Sequence, residues 1–205
     1  TPFSADLSVD HGFLAEHAQW QISAGCAGLI PCGSLGEAAT LSFAEKVAVT
    51  ATCVKAIRGP VIPGVTALST HEAVELARAF EGAGASGLMV LPPYVYSTDW
   101  REMKVHVAAV LNATKLPCIL YNNPPAYKTD FLPVHIAELA SEHANLAAVK
   151  ESSADVRRIT ALKVLMGNRL ALGVVVNRAA KRECLRRGRG QHEKRCRDTA
   201  RARGD

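Results

Sequence analysis

The stretch 145–153, NLAAVKESS, decides the fold. Leu146–Val149 is an apolar run of strand length, and it ends on Lys150 with Glu151, Ser152 and Ser153 directly behind. A lysine head is costly to bury and normally reaches water. An apolar strand that delivers an ammonium and further polar groups at its C-terminal end therefore stops at the rim of something open. The same layout recurs upstream. CAGLIPC (26–32) runs into GSLGE (33–37), GLMVLPP (87–93) runs into YVY (94–96), and LPCILYN (116–122) runs into NPP (123–125). PVIPGVT (60–66) and RLALGVV (169–175) complete six strand-like runs.

Helical stretches fill the gaps. Residues 9–25 place Phe13, Leu14, Ala18 and Ile22 near the helical period. Residues 42–57 open with Ser42 and Glu45 at capping-box spacing, and 69–85 repeat that signal with Ser69 and Glu72 before Gly82 and Gly84 supply the stop. Further helices are expected over 97–114, 130–143 and 153–166. Strands alternating with helices imply parallel pairing through right-handed crossovers, and near-continuous apolar strands imply two covered faces.

Two architectures fit that alternation: an open doubly wound sheet and a closed (β/α)8 barrel. The first should show a GxGxxG turn after its opening strand, and the sequence has none. Polar residues at the C-terminal ends of several different strands are how a barrel builds its active site. The expectation is an α/β protein with a (β/α)8 TIM barrel over residues 1–176, incomplete at its C-terminus and slightly at its N-terminus. TPF (1–3) would be the end of a strand whose start is missing.

Composition excludes other classes. Apolar residues make up 48% and charged residues 21%, an ordinary globular balance rather than a disordered one. No run approaches the ~18 apolar residues of a membrane span. TPFSADLSVD lacks the basic and apolar regions of an export signal, so a cytoplasmic location is expected. Cys26, Cys32, Cys53, Cys118, Cys184 and Cys196 form no CxxC pair and are read as free thiols. The net charge of +5 is uneven: residues 177–205 hold eleven Lys/Arg against four Asp/Glu, a balance of +7, which leaves −2 for residues 1–176.

Three elements carry chemistry. Lys150 is either a strand-end lysine that snorkels outward or a nucleophilic amine. In a dry pocket its pKa would fall from ~10.4 towards about 7–8, ready to form a Schiff base with a carbonyl. Tyr121 closes the preceding strand, so adjacent strands would bring phenol and amine into one mouth. It is either a proton shuttle for a carbinolamine or a rim tyrosine with its hydroxyl in water. Pro124 and Pro125 stiffen the turn that follows. In GSLGE, Gly33 and Gly36 let backbone approach a ligand, successive amides can cradle a carboxylate, and Ser34 adds a hydroxyl. The alternative is a plain βα turn.

GSLGE, then YNNPP, then VKES, in that order, closely resemble the dihydrodipicolinate synthase/N-acetylneuraminate lyase family, from TPF (1–3) to about Gly173. The resemblance implies a (β/α)8 barrel that works on 2-oxo acids through a lysine Schiff base, with no cofactor and no metal, and usually as a homotetramer or dimer. By matching position, Lys150 is the Schiff-base lysine and Tyr121 the proton-transfer tyrosine. Ser34 and Leu35 fill the two hydroxyl-rich positions of the substrate turn. Gly33, Gly36 and Glu37 match its shape-determining residues, with Tyr94 and Asn122 in support.

Departures bear on the substrate. The synthases carry two threonines where Ser34 and Leu35 stand, a second adjacent tyrosine where Val95 stands, and a carboxylate-clamping arginine where Ala126 stands. Losing a bidentate clamp and a relay hydroxyl argues against aspartate semialdehyde. GSLGE with YNNPPAYKTDF and VKESSADVRR looks most like the branch that deaminates 4-hydroxy-1-pyrroline-2-carboxylate to 2,5-dioxopentanoate and ammonia in hydroxyproline catabolism. The alternatives are 4-hydroxy-tetrahydrodipicolinate synthase, using pyruvate and aspartate semialdehyde, or another 2-oxo acid aldolase or dehydratase. A different class, an inactive broken barrel or binding module, is also open. The histidines sit mostly within helices, so no metal-ligand set is visible for a metal-dependent aldolase. The basic segment 177–205 lacks strand-like runs and any resemblance to the family. It is expected to be either a disordered tail or the product of a shifted reading frame. A small 2-oxo or cyclic imino acid is the expected partner; nothing in the main body points to nucleic acid or membrane.

Overall fold

In the computed structural model of the chain, residues 1–94 and 99–174 are described. Val95, the start of the helix expected over 97–114, and the basic segment 177–205 with Cys184, Cys196 and His192 lie outside the described residues. Thr1–Gly173 cluster as one unit.

The elements run α1 (His11–Ser23), α2 (Phe43–Ala56), β1 (Gly64–Val65), α3 (Thr70–Gly82), β2 (Leu88–Val90), α4 (Trp100–Asn112), β3 (Cys118–Asn122), α5 (Pro124–Tyr127), α6 (Pro133–Glu142), β4 (Leu146–Glu151), α7 (Arg157–Met166) and β5 (Ala171–Val174). Among the described residues the sheet order is β1-β2-β3-β4-β5. The pairings β1–β2, β2–β3 and β3–β4 are parallel. A doubly wound sheet reverses its strand order at a switch point. Here sequence neighbours remain spatial neighbours throughout, as in a barrel.

Helix starts follow local chemistry. Asp10 caps α1 by accepting from the Phe13 amide at 2.9 Å. Ser42 and Glu45 form the full capping box of α2. Ser69 accepts from the Glu72 amide at 3.1 Å, but the Glu72 carboxylate turns instead to Lys46 Nζ, 3.6 Å away. Past the described gap, Asp99 caps α4 through the Arg101 amide at 2.9 Å.

The first apolar run departs from expectation. Residues 26–32 make no extended strand; they contribute one parallel bridge, Leu29 to Val61. Pro31 has no N–H to donate to a ladder, and Cys32 turns the chain with φ at 55°. The run still lies where a strand beside β1 would. The Gly64 amide donates to Pro31 O at 2.8 Å. A Cβ on Gly64 would fall 2.4 Å from the Cys32 carbonyl oxygen, so only glycine permits this approach. At the start of the chain, Phe3 bridges antiparallel to Val9.

Alternation divides the side chains between two faces. Val65, Leu88, Val90, Leu120 and Val149 face outward into the main core, packed with Leu76, Phe80, Val107 and Ile136 of the helices. Met89, Leu91 and Tyr121 form a separate buried cluster with Ile62, Ile119 and Tyr127 against it. This second cluster lines the face of the sheet opposite the helices, the inside of a barrel.

Candidate active site

The ladder between β3 and β4 places Tyr121 opposite Lys150 and Asn122 opposite Glu151. Side chains paired across a parallel ladder share a face, and the next pair points the other way. Tyr121 and Lys150 therefore project inward together. Lys150 is half-buried, and its Nζ stands 3.9 Å from the centroid of the buried Tyr121 ring. The aromatic face attracts the amine's cationic form. The Tyr121 hydroxyl accepts from Asn123 Nδ2 at 2.8 Å, so its direction in the mouth is set.

Asn122 and Glu151 project outward and lock the two strand ends. Asn122 Nδ2 donates to Glu151 Oε2 and to Phe131 O, both at 3.0 Å, while its Oδ1 accepts from the Phe131 amide at 3.1 Å. Glu151 Oε1 accepts from the Ser153 amide at 2.8 Å. Next to them Arg158 grips Asp130 with both guanidinium nitrogens, at 2.5 and 2.7 Å. That guanidinium, against the opposing effect of burial, holds the Asp130 carboxyl below the ordinary carboxylate range.

The turn 33–37 forms a short 3-10 segment, Ser34–Gly36. Its two glycines have ordinary backbone angles. The left-handed residues are Cys32 and Glu37, with φ at 55° and 61°. The Gly36 and Ala38 amides are occupied by Gly33 O, and the Glu37 amide by Ser34 O. The Ser34 and Leu35 amides begin the segment, where a helix leaves N–H groups without internal acceptors. Leu35 is 74% exposed. A Cβ on Gly33 would stand 3.6 Å from Met89 Cε, so the turn adjoins the inner cluster.

Tyr127 is the residue that sequence reasoning did not single out. The proline pair was read as part of a turn; it instead opens α5, where prolines suit the first helical positions. One turn later α5 delivers Tyr127 to the mouth. Its hydroxyl bonds Ser34 Oγ, and its ring lies 5.1 Å from Tyr94 and 5.9 Å from Tyr121, nearly perpendicular to the latter. Prolines followed by an aromatic one turn on were the available signal. The structure thus brings Lys150, Tyr121 and Ser34 to one mouth, the last through Tyr127, with Tyr94 alongside. It sets Asn122 on the opposite face.

Three of the thiols, Cys32, Cys53 and Cys118, are buried. Burial pushes the thiols of Cys32 and Cys53 up to about 11 and that of Cys118 to about 12. No helix among the described residues is long and apolar enough to cross a membrane.

Comparison with known proteins shows the family and its fold. A 4-hydroxy-tetrahydrodipicolinate synthase of Agrobacterium fabrum is 37% identical over 169 residues, which are 82% of this chain and 58% of the relative. The dihydrodipicolinate synthase of Aquifex aeolicus superposes with a TM-score of 0.81 at 31% identity, over 85% of this chain and 60% of that one. The chloride-inhibited dihydrodipicolinate synthase of Acinetobacter baumannii, complexed with pyruvate, gives 0.80 at 32% identity, over the same shares. The chain spans just under three-fifths of the Agrobacterium relative's length. The sequence profile of the dihydrodipicolinate synthetase family matches residues 1–174, and the chain belongs to that family.

Proposed function

We propose that this protein is a lysine Schiff-base lyase acting on a small 2-oxo acid or cyclic imino acid. The observation that carries the reading is the inward pair on neighbouring strands, the Lys150 amine 3.9 Å from the Tyr121 ring. In its neutral form the amine attacks the ligand's carbonyl carbon to give a carbinolamine that loses water, or its imine carbon to give a gem-diamine that expels the ring nitrogen as an amine. Tyr121 moves protons at those steps. The ligand's carboxylate meets the Ser34 hydroxyl and the amides of Ser34 and Leu35.

Within this class, the ligand we favour is 4-hydroxy-1-pyrroline-2-carboxylate. Lys150 opens the ring by transimination, the C4 hydroxyl leaves from the enamine, and hydrolysis releases ammonia and 2,5-dioxopentanoate. Two residues support this choice. Ala126 is exposed and has no cation with which to clamp a second carboxylate, and Leu35 turns an apolar side chain to solvent. The second reading is 4-hydroxy-tetrahydrodipicolinate synthase, favoured by the name of the Agrobacterium relative at 37% identity.

Borohydride reduction in the presence of pyruvate, followed by peptide mass spectrometry, tests the chemistry: the adduct should sit on Lys150. An unmodified Lys150 would remove the Schiff-base reading. Ammonia release from the hydroxylated pyrroline supports the first substrate. Turnover of pyruvate with aspartate semialdehyde, without ammonia release from the pyrroline, installs the second.

A further inference from the structure

Ser34, in the 33–37 turn, and Tyr127, at the end of α5, lie 93 positions apart in the sequence, and their hydroxyls bond each other. The Tyr127 ring is half-buried between Tyr94 and Tyr121. Burial raises its pKa, and the interaction with Ser34 only partly opposes this, so the phenol stays protonated at neutral pH. A phenol is a far stronger acid than a serine alcohol. In a bond between the two, the phenol donates and the serine oxygen accepts. The serine O–H is then left to donate elsewhere, strengthened by the bond its oxygen receives. An anionic ligand oxygen at the mouth is the acceptor such a hydroxyl would take.

We propose that Tyr127 is a positioning residue of this site: by donating to Ser34 Oγ, it aims the Ser34 hydroxyl at the carboxylate of the bound 2-oxo or imino acid. The inference rests on the Schiff-base reading above and adds to it the group that orients the carboxylate donor. Without the phenol, Ser34 sits exposed on its turn and its hydroxyl rotates among water partners. Ligand binding weakens; the covalent step at Lys150 does not.

The test is borohydride trapping of Lys150 across a pyruvate series, in the wild-type protein, Tyr127→Phe, Ser34→Ala and the double variant. The pyruvate concentration for half-maximal trapping should rise about tenfold in each single variant, as for a lost charge-assisted hydrogen bond. The limiting trapping rate at saturation should hold. The double variant should rise no further than either single one, because both remove the same interaction. Half-saturation within twofold of wild type in Tyr127→Phe overturns the proposal, as do single effects that multiply in the double variant. If Tyr127→Phe fails to fold, Tyr127→Leu, which also lacks the hydroxyl, decides: an unchanged half-saturation overturns the proposal and a tenfold rise matched by Ser34→Ala supports it. A wild-type protein that pyruvate does not trap removes the Schiff-base reading and this inference with it. A trapped wild type with unmoved variants removes this inference alone.

Discussion

Two consecutive rungs of one ladder, Tyr121–Lys150 and Asn122–Glu151, are built to opposite ends. The first carries an amine and a phenol on the inner face, the amine over the phenol ring and the hydroxyl bonded to Asn123. The second buries an amide and a carboxylate among hydrogen bonds that tie Asp130, Phe131 and Ser153 to the strand ends. A one-residue slip of either strand would exchange their roles. The lesson is that the groups proposed to react and the groups that brace the strand ends are separated by a single step of the pleat.

That separation can be broken by mutation. Lys150→Met should abolish borohydride trapping altogether while leaving the urea midpoint almost unmoved, since the half-buried side chain projects with Tyr121 to the face opposite the main core. Residual trapping elsewhere in the chain would show that the inner rung is not the reactive one. Tyr121→Phe keeps the ring under Lys150 and removes only the hydroxyl; turnover should fall by about 10²-fold with the adduct still forming. Glu151→Leu should act in reverse. It strands the Asn122 and Ser153 N–H groups in a buried site, and urea denaturation should show a loss of about 1–3 kcal/mol.

The smallest effect belongs to the ion pair flanking the outer rung. The Arg158 guanidinium depresses the folded pKa of Asp130 below its ordinary 3.8. The stability this contributes is present above the unfolded pKa and is lost as pH falls through the lower folded value. Asp130→Asn should therefore flatten the acid limb of the stability curve below about pH 4 and change little at pH 7 in its slope. With the Asp130 side chain 35% exposed, solvent screening keeps the contribution under about 1 kcal/mol. A variant whose acid limb matches the wild type would detach this pair from the outer rung.

Much of this was legible in the chain itself. NLAAVKESS and LPCILYN announced adjacent strands ending on Lys150 and Tyr121, because period-two burial and a polar strand end are local signals. The caps at Ser42 and Ser69 were equally local. The illegible parts depend on partners distant in sequence. Glu72 fits a capping box by spacing, but its carboxylate pairs with Lys46, whose Nζ also donates to Thr66 O at 2.9 Å from within a buried setting. Residues 26–32 have a strand's composition, yet Pro31 and the left-handed Cys32 reduce them to one bridge. Tyr127 gained its place only when α5 folded against the turn that holds Ser34.

The corner at residues 32–37 bends on cysteine and glutamate rather than on its two glycines. A left-handed conformation at a residue with a Cβ costs roughly 1–2 kcal/mol and persists only where surroundings insist on it. Glycine at position 37 would relax the chain and, in the same stroke, let the neighbouring serine wander. An engineer seeking a sturdier protein would begin at this corner, trading rigidity there against the carboxylate grip we propose for the turn.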